Sequence, residues 1–252
     1  MAVYLGTIAL EAHRWDADQT ATIDVPAYIE RAVRDGFDGV ELWGPHYLLA
    51  DEAQRSRIEA AGHIAIFNTY LTFDKGVTDA MRETAEIINR LHPKAIKFNL
   101  GNKNERELQV ETLKAFAAML LPDIRLLCEC HLYTLMDDAA IAAEIFHELG
   151  DHYGAMVHTR TGALSEADDF AQLTRNVEAY GDAICHIHAS NFNGNAFVPI
   201  DAGGVVEKHL RYLLSNGFHG NCTVEFTVGT NAEEWYQNAC SDLRWLNRIG
   251  IR

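Results

Sequence analysis

Arg125-Leu126-Leu127-Cys128-Glu129-Cys130-His131 is an apolar run that closes on charge. Alternation along an extended chain puts Leu127, Glu129 and His131 on one face and Cys128 and Cys130 on the other. The segment therefore reads as a buried strand whose C-terminal end carries chemistry. Runs of the same form recur in both directions from it. Strands are predicted at Val3–Thr7, Gly39–Leu42, Ile64–Asn68, Ala95–Asn99, Arg125–Glu129, Ala155–His158, Ile184–His188 and Cys222–Glu225. They start roughly 30 residues apart, the length of a βαβ unit.

Eight such units in series predict an α/β protein with one (βα)8 TIM-barrel domain over 1–252. The length of 252 residues is close to the roughly 250 typical of that fold. No G-x-G-x-x-G turn follows the first strand, which removes the cue for an open dinucleotide-binding sheet. Helices fit between the strands. Pro26 suits the first turn of a helix running to Asp35, with Gly36 as its stop. Thr78–Leu91 and Val110–Leu121 carry apolar residues at helical spacing. Ser165 with Asp168 forms a capping pattern, and Val205–Asn216 ends at Gly217.

Acidic residues outnumber basic ones, 36 to 21, for a formal charge of -15. Such a surface repels phosphate backbones and anionic membranes, so neither nucleic acid nor membrane is an expected partner. The N-terminus begins as a strand with no signal-peptide pattern, and no apolar run approaches the roughly 20 residues that span a bilayer. The five cysteines are scattered through apolar segments and read as reduced packing residues of a cytoplasmic protein. Composition leaves a homo-oligomer open.

Polar residues gather at the predicted strand ends, where barrel enzymes place reacting groups. Glu129, His158, His188 and Glu225 end four consecutive strands, adjacent in a closed barrel, and form a plausible metal set. Two carboxylates and two imidazoles suit Mn, Co, Zn or Fe better than Mg. Each also has a plain structural reading: a glutamate can pair with an arginine, and a histidine can be a satisfied core residue. His186 shares a face with His188 and reads as a supporting residue or a substrate contact. Lys97, inside an apolar strand, requires a partner or a substrate anion. Glu41 and Trp43 end the second strand. Trp43, Tyr70 and Phe226 read equally well as cavity walls or as core.

At these residues the chain resembles the xylose-isomerase-like superfamily of sugar isomerases and epimerases. The likeness runs from Val3 to Leu246 through Gly36-Phe37-Asp38-Gly39-Val40-Glu41-Leu42-Trp43-Gly44, Cys128-Glu129-Cys130-His131, His186-Ile187-His188 and Val224-Glu225-Phe226. Glu41 to His46 and the Glu129/His131 pair are also similar to metal-dependent 3-dehydroshikimate dehydratases. The resemblance implies ligands at Glu129, His188 and Glu225. His158 stands where the family has aspartate, with Arg160 and Thr161 where it has a further histidine nearby, and Ser190 replaces a basic residue. The resemblance places Lys97 and Tyr70 near substrate-binding positions. It implies a divalent metal cation and a small polyhydroxylated carbonyl substrate. Glu129 and Glu225 are then expected to carry protons and His131 to position a hydroxyl. The alternatives are a dehydratase with His131 as base and a non-catalytic sugar-binding barrel.

Overall fold

The strand segments are hydrophobic on both faces, so they need cover inside and out, and a closed parallel barrel wrapped in helices supplies it. The computed structural model describes residues 1–160 and 164–250; Thr161 lies outside them. The strands are β1 (Val3–Gly6), β2 (Val40–Trp43), β3 (Ile64–Asn68), β4 (Ala95–Phe98), β5 (Arg125–Glu129), β6 (Tyr153–His158), β7 (Ile184–Ala189) and β8 (Asn221–Val224). They close in sequence order, β1 pairing with β8, and every pairing is parallel. The helices are α1 (Val25–Arg34), α2 (Pro45–Leu48), α3 (Glu52–Ala61), α4 (Asp79–Leu91), α5 (Arg106–Ala117), α6 (Ala139–Leu149), α7 (Glu166–Tyr180), α8 (Val205–Ser215) and α9 (Ala232–Arg248).

One apolar cluster fills the space between strands and helices, drawing on Leu5, Leu42, Phe67, Phe98, Cys128, Ile187 and Val224 from the outward faces. A smaller one, with Tyr4, Ile66, Leu127 and Met156, plugs the barrel interior. Glu129 thus tops a stave whose lower inward residue is Leu127, while Cys128 packs outward as alternation requires. All five cysteines are free.

The ends of several elements differ from the sequence reading, each for a local reason. Gly39 has φ +146, and a Cβ there would lie 2.6 Å from His63 O, so β2 starts at Val40. Thr7 leaves β1 for a short 3-10 turn, which frees its hydroxyl to accept the Trp43 N–H at 2.9 Å. Helix α5 starts at Arg106 rather than Val110, because its first turn, Arg106-Glu107-Leu108-Gln109, is mostly polar and its one apolar residue, Leu108, is exposed. The chain leaves it after Ala117 through tight backbone turns at Met119 and Leu120. Thr78 and Ser165 act as N-caps, accepting the N–H groups of Met81 and Asp168. No helix among the described residues is long and apolar enough to cross a membrane.

Candidate metal centre

Register brings the site together. The β6–β7 pairing shifts between Ala155 and Met156 and then sets His158 opposite His188. Glu225 lies one residue past β8, held by its N–H to Ala189 O at 3.3 Å. The four expected ligands converge. Glu129 Oε1 is 3.0 Å from His158 Nε2 and 3.6 Å from His188 Nδ1. Glu225 lies 3.1 Å from His188 Nδ1 and 3.5 Å from His158 Nδ1. Donor atoms of Glu129, His158 and His188 all fall within 4.8 Å of one another.

The layer beneath orients them. His188 Nε2–H donates to Glu41 Oε2 at 2.9 Å, and Glu41 Oε1 accepts from Asn68 Nδ2 at 3.1 Å. His186 bonds Thr223 Oγ1 at 2.9 Å and stacks on Tyr4. Burial, with His188 beside it, keeps the His186 ring neutral, with a pKa of about 3. Glu41, Trp43 and His186 were expected to touch substrate, but none of them lines the cavity above. Glu41 and His186 sit one side-chain layer down. Trp43 is fully buried and instead donates its indole N–H to the Tyr70 hydroxyl oxygen at 2.8 Å.

Lys97 finds its partner inside the protein. Its Nζ lies 2.9 Å from Glu129 Oε2, with both side chains buried. Burial opposes the charge, but Glu129, Glu225 and Glu41 together raise the ammonium pKa. Burial also opposes the Glu129 carboxylate, and Lys97 and His158 hold it well below the usual range. Glu225 is lowered in the same way by His188 and His158. His188 is held at about 10, its burial outweighed by Glu225 and Glu41.

A divalent cation fits this donor set on two counts. First, His188 Nδ1 is buried without a hydrogen bond, although it faces two carboxylates. A nitrogen in that setting takes either a proton or a metal, and the Glu41 contact fixes the tautomer as in carboxylate–histidine–metal triads. Second, the buried Glu41, Glu129 and Glu225 less the Lys97 ammonium leave two negative charges, which a divalent ion neutralises with both histidines uncharged.

A cavity of about 450 Å³ opens over these residues. Lys97, Glu129, His158 and Glu225 lie on its wall with His131, Asn99 and Ser190, and Ile8, Trp15, Tyr70, Phe197 and Phe226 add apolar surface. His131 reaches the wall by a route the alternation did not describe. Strand β5 stops at Glu129, His131 N–H turns back to Glu129 O at 3.0 Å, and Tyr133 adopts φ +67. His131 Nδ1 donates to Leu132 O at 2.9 Å, which leaves Nε2 as its basic nitrogen. Trp15 and Phe197 were not identified from sequence. The available signal was a tryptophan in the polar stretch after the first strand, at the barrel end that carries function.

No family model and no curated protein matches the chain. Among solved structures it is similar to a xylose isomerase domain containing protein from Salmonella typhimurium LT2, at 17% identity over 97% of each chain with a TM-score of 0.66. A xylose isomerase-like TIM barrel protein from Mycobacterium smegmatis, solved in complex with magnesium, matches at 12% identity, 98% of this chain, 97% of that one and a TM-score of 0.62. An archaeal fructose-1,6-bisphosphate aldolase with its catalytic lysine bound to a carbinolamine intermediate matches at 18% identity, 98% of this chain, 93% of that one and a TM-score of 0.54. At these identities the likeness establishes the fold alone, a (βα)8 barrel.

Proposed function

We propose that the chain is a divalent-metal-dependent enzyme that moves a proton next to a carbonyl of a polyhydroxylated small molecule, in the manner of a sugar isomerase or epimerase. The observation that carries this reading is the buried, hydrogen-bond-free His188 Nδ1 facing Glu129 and Glu225. Glu129, His158, His188 and Glu225 would hold the cation, which when bound polarises a carbonyl and offsets developing negative charge. The magnesium complex of the Mycobacterium smegmatis barrel supports a metal in such a fold. Two imidazole donors favour Mn, Co, Zn or Fe.

The protein's own groups divide the remaining work. Lys97 fixes Glu129 and faces the negative charge that develops on an uncharged substrate as its proton leaves. Glu225, which has no lysine partner of its own, is the better placed carboxylate to take a proton, and His131 Nε2 offers a second proton carrier on the same cavity. Tyr70 keeps its hydroxyl proton for substrate, because its oxygen already accepts from Trp43. Lys97 is unsuited to Schiff-base chemistry, which needs an ammonium of lowered pKa, whereas its own is raised.

The His131 tautomer also favours a second reading, a dehydratase in which the same proton removal expels a neighbouring hydroxyl. The metal-loaded protein incubated with ketohexoses in heavy water should exchange the proton beside the carbonyl; with 3-dehydroshikimate, growth of the aromatic absorbance of a dihydroxybenzoate, formed by loss of water and tautomerisation, would mark the dehydratase instead. Glu225→Gln or Glu129→Gln should remove metal and lower turnover by roughly 10²–10⁴-fold without unfolding the barrel. Full metal content in both variants would refute the assignment.

A further inference from the structure

Above the polar floor, the cavity wall is a row of aromatic faces. Phe197 stacks on Phe226 at 4.8 Å and 28°, and Phe226 meets Trp15 at 5.8 Å and 39°. Trp15 lines the cavity yet is 69% exposed, an open indole beside the site. The row is backed rather than loose. The Arg14 guanidinium lies 5.7 Å from the Phe226 ring and 4.9 Å from Trp235.

The loop carrying Trp15 is pinned at both ends by one carboxylate. Glu11 is fully buried and accepts from His13 N–H at 3.0 Å, Thr22 N–H at 2.8 Å and the Thr22 hydroxyl at 2.5 Å. His46 Nε2–H donates to Oε2 at 3.1 Å, the oxygen that also accepts the Thr22 N–H, and His46 Nδ1 accepts from the Thr7 hydroxyl. A buried carboxylate is costly unless it is this fully bonded. The clasp holds an exposed tryptophan at the cavity edge, a pre-organised contact that a purely structural loop does not require.

Charge narrows the occupant. The two cationic side chains on the wall are both neutralised within the protein, Lys97 by Glu129 and Arg160 by Asp169 at 2.5 Å. Arg160 also donates to Phe192 O. Among the described residues no unpaired lysine or arginine lines the cavity for a phosphate, and the chain as a whole carries -15. The cavity of about 450 Å³ falls in the range that encloses drug-sized ligands and exceeds what one six-carbon sugar on the floor occupies.

Resting on the proposed proton-transfer function, we infer that the substrate is an uncharged keto-glycoside with a planar aromatic aglycone, its sugar on the polar floor and its aglycone stacked on Trp15 and Phe226. A glycosidic bond ties up the anomeric carbon as an acetal, so the carbonyl that the floor engages is a ring ketone.

Methyl, phenyl and glucosyl 3-keto-β-D-glucosides are titrated calorimetrically into manganese-loaded protein, Trp15→Ala and Phe226→Ala. The phenyl glycoside is expected to bind roughly tenfold more tightly than the methyl one, the gain of one good aromatic pair. Trp15→Ala, remote in sequence from the metal ligands, should bring the phenyl affinity close to the methyl value while metal content stays unchanged, and Phe226→Ala should lower the phenyl affinity in the same direction. Equal binding of methyl and phenyl compounds, glucosyl binding as tight as phenyl, an unaffected Trp15→Ala or no binding at all would each overturn the inference. Phenyl preference that survives metal removal, without turnover in any state, supports the stacking site and overturns only the metal-dependent function.

Discussion

Glu41→Gln tests whether the buried layer beneath the cavity tunes a metal. Glu41 Oε2 accepts from His188 Nε2 at 2.9 Å, and both side chains are almost wholly out of solvent. Glutamine keeps the volume and an acceptor oxygen but removes the charge. The His188 proton is held at about 10 against an ordinary 6.5, which is roughly 5 kcal/mol of added proton affinity at about 1.4 kcal/mol per pKa unit. Glu225 contributes more of this than Glu41, and burial opposes both. A cation on Nδ1 draws on the same electron donation, and loss of such a supporting carboxylate typically costs about 10–100-fold in metal affinity. Competition against a chromogenic chelator, with Zn²⁺ or Co²⁺ at pH 8, should therefore show Glu41→Gln weaker by about 10–100-fold. The far-ultraviolet circular dichroism should be unchanged. Affinity within threefold of the original protein would refute the reasoning and leave the Glu41–His188 pair as a simple core ion pair.

His158→Asp should bind metal at least as tightly as the original chain and melt at a lower temperature when metal-free. The substitution adds a carboxylate beside Glu129 and Glu225 and removes the imidazole that bridges them. Metal titration and thermal melts of both forms check this, and weakened binding would count against a ligand at that position. A separate outcome concerns acid. Burial, opposed by the bond to Thr159 O, holds His209 at about 4. Its folded pKa thus lies below the ordinary 6.5, so its contribution to stability is complete above about pH 6.5 and is lost as pH falls towards 4. His209→Asn keeps a donor for Thr159 O without the titrating ring. The melting-temperature advantage of the original chain should shrink steadily across that window, and a pH-independent difference would contradict the assignment.

Much of the barrel was legible because its signals are local. Apolar runs of four to six residues, Gly36 and Gly217 as helix stops, and Ser165 as a cap act within a few residues of themselves. A period of two decided that Glu129 faces inward while Cys128 packs outward, and the order of the units gave neighbours to strands five to eight. The composition of the proposed metal set was read from the same signals, since Glu129, His158, His188 and Glu225 all end such strands. Depth and pairing were not legible. Whether Glu41 touches substrate or His188 depends on which residue of β2 lies level with β7 across the barrel. That level is set by strand stagger and by the register shifts at Val40/Glu41 and Ala155/Met156. Lys97 announced a need for a partner, but only closure of the sheet chose Glu129, two residues along in the register of the next strand. Trp15 belongs to the same class. Its place at the cavity depends on Glu11, a carboxylate buried by contacts with Thr22 and His46, far along the chain. Sequence specifies which face a side chain takes because that follows from adjacent backbone; the distance between side chains on different staves follows from the geometry of the whole barrel.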